Sequence, residues 1–238
     1  PPVDALAINV TGSGGYEAFD IEMGQALAAQ GVPVVAISSL DYFWTDRDPD
    51  GAARDLARVL DHYLAAWHKS KAVLFGYSQG ADILPFMVNR LPAPLRAKVA
   101  AVGLIGPDDM AELDNGLSDY TAGRMPPPKL PVAPEIERLL RETGEKKDSK
   151  LVCIYGKTER GALCPKLDPQ LGVDVFAVPT GHAFQGHAPQ MIAHVLTAAG
   201  VPVRPVAPTP PPEDEKPAAP PTPPAAATTA RYPYSSPG

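Results

Sequence analysis

The stretch Lys71-Ala72-Val73-Leu74-Phe75-Gly76-Tyr77-Ser78-Gln79-Gly80-Ala81-Asp82 decides how the rest of the chain is read. Ala72 to Phe75 form an uninterrupted apolar run, the composition of a strand covered on both faces. Gly76-Tyr77-Ser78-Gln79-Gly80 follows at once, and behind it Ile83, Leu84, Met87 and Val88 recur at helical spacing. Gly-x-Ser-x-Gly alone is a weak pattern that loops match by accident. Set between a strand and a helix it predicts a turn tight enough to strain the serine backbone and thrust its Oγ above the sheet. The glycines two positions either side let the strand and helix pass without a clash. Ser78 is therefore the candidate nucleophile, with a plain structural turn as the alternative.

Upstream, Ala5 to Val10 reads as a first strand, leading into Thr11-Gly12-Ser13-Gly14-Gly15 and a helix from Tyr16 to Gln30. The glycine-rich loop lacks both a full Gly-x-Gly-x-x-Gly and a phosphate-loop lysine. After a first core strand, such a loop lends one backbone N–H to an oxyanion hole. Gly12 or Ser13 is expected in that role, with the Gln79 N–H as second donor. Val32 to Ile37 is a second strand, followed by Tyr42-Phe43-Trp44, three aromatics expected either to wall an acyl or lipid pocket or to pack on the next helix. That helix is predicted to be capped by Asp50 and to carry Leu56, Leu60, Leu64 and Trp67 on one face. His62 and His68 fall on it as surface residues.

Downstream, Lys98 to Ile105, Leu151 to Tyr155 and Val173 to Val178 complete six strands, and a last helix spans Pro189 to Ala199. Strands separated by helices imply a mainly parallel sheet with helices on both faces, an α/β class fold. Residues 107–149 form an irregular insertion holding Tyr120, Pro126-Pro127-Pro128 and a helix from Pro134 to Glu142. It is expected to be a small cap or a decorative loop. From Val201 to Gly238 the chain is rich in Pro, Ala and Thr, so residues 1–200 are read as the folded domain and 201–238 as a disordered or polyproline-like tail.

Ligands of such a sheet lie at the carboxyl ends of the strands. In α/β-hydrolases the partners of the serine follow it as an acid and then a histidine. The fifth strand runs into Gly156-Lys157-Thr158-Glu159, and the sixth into Pro179-Thr180-Gly181-His182. Glu159 and His182 are the expected acid and base, with Asp108 or Asp109 as alternative acids. His187 is the second choice for the base, and His194 lies within the last helix.

Composition narrows the field. The chain has 238 residues, 45% of them hydrophobic, and a net charge of −6 without a Lys/Arg cluster, so no nucleic-acid surface is expected. No apolar run approaches the ~18 residues that cross a bilayer. Cys153 and Cys164 are a disulfide pair if the protein is exported and two buried thiols if it is not. Neither has zinc-spaced neighbours, so no metal or cofactor is expected. The opening Pro1-Pro2-Val3 fits a removed signal peptide or a trimmed chain.

Over residues 5–200 the sequence resembles the VirJ/AcvB group of bacterial virulence-associated periplasmic hydrolases. The likeness rests on Thr11 to Gly15, Gly31-Val32-Pro33-Val34-Val35, Ser39-Leu40 with Tyr42-Phe43-Trp44, and Gly76-Tyr77-Ser78 with Gly80-Ala81-Asp82. It continues through Leu84-Pro85-Phe86, Asn89-Arg90-Leu91-Pro92, Pro134-Glu135-Ile136, Cys153-Ile154-Tyr155-Gly156, Cys164-Pro165, and Gly181-His182 with Phe184. The resemblance implies a periplasmic serine hydrolase that cleaves the lysyl or alanyl ester of aminoacyl-phosphatidylglycerol at a membrane surface. It further implies association with secretion machinery, for which the tail is a candidate docking element, as it is for the cell wall. In that oxidising setting Cys153 and Cys164 are expected to be bonded and to hold the Glu159 loop.

The sequence departs from the group at Ser13 for an acid, Asp41 for an Arg placed to meet a lipid phosphate, Gln79 for a bulky apolar residue, and Ala183 for a second His. Gly-Tyr-Ser-Gln-Gly is also similar to the cutinase elbow. A broad carboxylesterase or cutinase-like lipase, and a non-catalytic assembly factor on a hydrolase scaffold, are the other two readings.

Overall fold

In a computed structural model, residues 3–45, 47–113, 129–142 and 150–205 are described below. The long apolar runs pair as six parallel strands: β1 (Ala5–Val10), β2 (Val34–Ile37), β3 (Lys71–Tyr77), β4 (Val99–Ile105), β7 (Lys150–Gly156) and β8 (Asp174–Val178). Their order is β2-β1-β3-β4-β7-β8, with β3 at the centre beside β1 and β4. Two short strands, β5 (Met110–Ala111) and β6 (Leu130–Pro131), form a separate antiparallel pair.

Because side chains alternate along a strand, the sheet feeds two cores. Leu6, Ile8 and Leu74 face one side with Val102 and Leu104, packed under helices α3 (Pro49–Ala66), α4 (Gln79–Asn89) and α6 (Val132–Glu142). Ala7, Val73 and Phe75 face the other with Val152 and Ile154, beneath α1 (Ala18–Ala29) and α7 (Ala188–Ala198). Two shorter helices, α2 (Ser39–Tyr42) and α5 (Ala93–Arg96), complete the described helices. The expected six-stranded parallel α/β-hydrolase sheet with helices on both faces is the observed architecture.

Helix ends differ in detail. Helix α3 is capped by Asp48, whose carboxylate accepts the Gly51 N–H at 2.7 Å, with Pro49 at the first helical position. Asp50, expected as the cap, sits in the first turn and pairs instead with Arg90 of α4 at 3.2 Å. Helix α1 begins two residues later than expected, because Glu17 and Asp20 close a reciprocal capping box.

The described part of the insertion is more regular than its sequence suggests. Helix α6 starts at Val132 and buries Ile136 and Leu139 in the first core, while β5 and β6 stand at the carboxyl edge of the sheet. Tyr120 and Pro126 to Pro128 lie outside the described residues, as does the tail from residue 206. The folded body runs on past Gly200. Val201 is buried, and Arg204 exchanges two hydrogen bonds with the Gln30 side chain.

Cys153 of β7 and Cys164 are joined in a disulfide, both fully buried, closing a segment with a sequence separation of 11 around the loop that carries Glu159. Cross-linking a loop of that size removes denatured-state entropy worth about 3 kcal/mol. Replacing both cysteines with alanine is expected to lower Tm by roughly 6–12 °C in a domain of this size, read by calorimetry. An unchanged Tm would show that the bond stabilises nothing.

Candidate active site

Strand β3 delivers Ser78 at φ 50° and ψ −119°, a conformation that few residues other than glycine adopt. The two flanking glycines explain how the chain tolerates it. A Cβ on Gly76 would collide with the Gly80 carbonyl, and one on Gly80 would collide with the Val10 carbonyl of β1. The Ala81 and Asp82 N–H groups both donate to the Ser78 carbonyl, at 2.8 and 3.1 Å, and lock the start of α4. Ser78 Oγ is left facing a cavity of about 730 Å³ at the carboxyl edge of the sheet.

Glu159 and His182 reach the same cavity from the loops after β7 and β8. Those loops are laced together: Lys157 N–H donates to the Val178 carbonyl and Thr158 N–H to the Thr180 carbonyl. Gly156 permits this approach, since a side chain there would meet the Gly181 carbonyl. His182 Nε2 lies 2.9 Å from Ser78 Oγ, and His182 Nδ1 lies 2.5 Å from Glu159 Oε1. Glu159 is the shielded member, its side chain 13% exposed against 46% for His182. The acid, base and hydroxyl read from the sequence thus form one hydrogen-bonded chain. Asp109 is held by Lys166 at 2.7 Å and Asp108 takes the Asp109 N–H, while the two ring nitrogens of His182 meet Glu159 and Ser78. His187 bonds Gln190, and His194 pairs with Asp174.

Gly12 is packed beside Ser78: a Cβ there would lie 3.5 Å from the serine Cβ. Ser13 lines the cavity with Ser78 and Gln79. The loop is pinned through Thr11, whose hydroxyl accepts the Ser39 N–H at 2.9 Å while its carbonyl accepts the Ser39 hydroxyl at 2.6 Å. Backbone from both expected loops therefore borders the serine.

The aromatic triplet does not line this cavity. Phe43 is fully buried in the first core, and the Tyr42 hydroxyl donates to Asp55 at 2.6 Å. Burial, then Asp55, pushes the Tyr42 phenol well above its ordinary pKa. Only Trp44 is exposed, at 49%. Helix α2 ends at Tyr42 and the chain turns there, with the Trp44 N–H donating to the Asp41 carbonyl, so Tyr42 meets α3, Phe43 enters the core and Trp44 faces out.

Several neighbours were not singled out from the sequence. The Tyr77 hydroxyl donates to the His182 carbonyl at 3.1 Å, and its ring stacks 5.7 Å from the imidazole. Gly106, at φ 60°, gives the imidazole room, since a Cβ would stand 3.0 Å from His182 Cε1. Glu22 of α1 accepts the Gly186 and Ala188 N–H groups and fixes the loop beyond His182. Asp82, one turn into α4, lines the cavity while 7% exposed, and its Oδ1 accepts the Asp108 N–H at 2.6 Å. Ser78 and Asp82 are only four residues apart at the start of α4, and that spacing was present in the sequence.

Burial pushes the Asp82 carboxyl up to about 8, with the nearby Asp108, Glu112 and Glu159 charges adding to the shift. The unfolded chain ionises this group near pH 4 and the folded chain only near 8, so folding becomes less favourable as pH rises between the two. The Tm of Asp82→Asn minus that of the unaltered protein is expected to grow from pH 5 to 8 and then level off. A difference that is flat across a calorimetric pH series would rule out the buried, protonated carboxyl.

With this geometry in place, comparison with known proteins is informative. Residues 4–201 match the family model described as bacterial virulence protein (VirJ). A cutinase of Monilinia fructicola is 30% identical over 92 residues, 39% of this chain and 44% of the cutinase, so the match spans less than half of that relative. Among solved structures, Est1E from Butyrivibrio proteoclasticus with ferulic acid bound superposes at a TM-score of 0.52, with 11% identity over 83% of this chain and 91% of that one. A carboxylesterase from Mesorhizobium loti gives 0.51 at 15% identity over 81% and 88%. These two likenesses concern the fold, whereas the family model covers nearly the whole described body. The chain belongs to the bacterial virulence protein VirJ family.

Proposed function

We propose that this protein is a serine ester hydrolase that cleaves the aminoacyl ester of aminoacyl-phosphatidylglycerol outside the cytoplasm. The reading is carried by the 2.9 Å approach of His182 Nε2 to Ser78 Oγ, with Glu159 on the far ring nitrogen. In this scheme neutral His182 holds its proton on Nδ1, toward Glu159, and takes the Ser78 proton as the oxygen attacks the ester carbonyl. Glu159 stabilises the imidazolium. The backbone N–H groups of Gln79 and of Gly12 or Ser13 receive the oxyanion, each donor lowering the barrier by about 3–4 kcal/mol. His182 then protonates the departing lipid alkoxide, and a water activated by the same imidazole releases the amino acid.

Membership of the family supports the lipid substrate, and a buried disulfide suits a periplasmic setting. Contact with secretion machinery through the tail belongs to the same proposal. A second reading, a cutinase-like carboxylesterase, is favoured by the partial cutinase likeness and by Gln79 in the elbow.

Incubation with lysyl- or alanyl-phosphatidylglycerol is expected to release free amino acid, and Ser78→Ala to lower kcat by about 10⁴–10⁶. Turnover of short p-nitrophenyl esters with the aminoacyl lipids untouched would favour the second reading. Undiminished lipid turnover by Ser78→Ala would refute both.

A further inference from the structure

The reaction scheme leaves one cavity group unused. Asp82 lies in the first turn of α4, four residues past Ser78, and both line the cavity. It is 7% exposed, yet it lines the cavity. Its Oδ1 accepts the Asp108 N–H, and no hydrogen bond reaches Oδ2 among the described residues.

The other acids of the wall have cations or donors of their own. Glu159 faces His182, Glu112 pairs with Lys129, and Asp109 with Lys166. Asp108, beside Asp82, carries a second carboxylate that meets only the Asp109 N–H among the described residues. A buried acid without a cation costs stability unless a ligand supplies the charge. A divalent metal does not fit, because no group of three or more metal-ligating side chains exists among the described residues. A single nitrogen cation does fit, since it asks only for the one carboxylate oxygen that Asp82 still offers. Ser78, Gln79 and Asp82 line the same cavity, so an ester held at the serine shares it with this carboxylate.

We propose that Asp82 is the specificity-determining carboxylate of this cavity, pairing with a cationic nitrogen carried by the ester bound at Ser78. The proposal rests on Ser78 being the nucleophile. Asp82 holds its proton in the empty cavity up to about pH 8, and a bound cation expels it. The charged groups around it are Asp108, Asp109 and Glu112 after β4, Lys129 before β6, Glu159 and Arg160 after β7, and His182 after β8.

The test uses two fluorophosphonates of equal length on the full chain, one ending in trimethylammonium and the other in the isosteric tert-butyl group. Rates of Ser78 modification are read by intact-mass spectrometry. The cationic probe is expected to react about tenfold faster at pH 8, and the ratio to fall toward one in Asp82→Asn. In the unaltered protein the same ratio is expected to fall as pH drops from 8 to 6, while the His182 contribution cancels between probes. A ratio near one at pH 8, a ratio flat with pH, or the same ratio in Asp82→Asn overturns the proposal while leaving Ser78 as the nucleophile. Failure of both probes to modify Ser78 removes the hydrolase reading, and the subsite with it.

Discussion

Everything at the carboxyl edge of the sheet depends on how closely three backbones pass at the start of α4. The space that a methyl group would need on Gly76 is taken by the Gly80 carbonyl, and the space beside Gly80 is taken by the Val10 carbonyl. This proximity holds the helix N-terminus against β1 and β3, and it forces Ser78 into a positive φ that local preference opposes. Helix α4 supplies the opposing grip. All its residues from Gly80 to Asn89 are buried, so strain at the residue just before it is spread over a helix packed on both the sheet and α6.

Around that fixed point the remaining groups are held by backbone contacts rather than by their own side chains. The loop after β7 donates main-chain hydrogen bonds to the end of β8 and the residues beyond it, so Glu159 and His182 share one frame. Tyr77, the residue before Ser78, holds the carbonyl of His182. Position of the serine and position of the imidazole are thereby linked through adjacent residues of one strand end. The buried disulfide closes the segment between Cys153 and Cys164 that carries Glu159.

The strands, the elbow and the Ser78, Glu159 and His182 chain were legible in the sequence for a shared reason. Each functional residue lies a few positions beyond an apolar run, where topology alone puts it at the carboxyl edge. Of the two readings of the aromatic triplet, packing on the next helix is the one found: Tyr42 bonds Asp55 of α3 and Phe43 is buried beside that helix, a choice that depends on burial the sequence does not show. The α3 cap was misplaced for a different cause. Asp48-Pro49 already carried the signal, an acid followed by proline at the first helical position. Tyr77 and Glu22 were beyond reach, since their partners lie 105 and 164 residues away and only the folded sheet brings them near. Asp82 differed again: its spacing was visible, but its burial was not.

The Glu22 clamp bears on when the site comes into being. A carboxylate in the first helix closes over amides just before the last one, so the earliest and latest parts of the fold meet only when synthesis of the body is complete. A nascent or truncated chain that has formed its first four parallel strands would own a strained serine but no base. Any esterolytic power of this molecule is thus withheld until the final βα unit has docked, a safeguard written into topology.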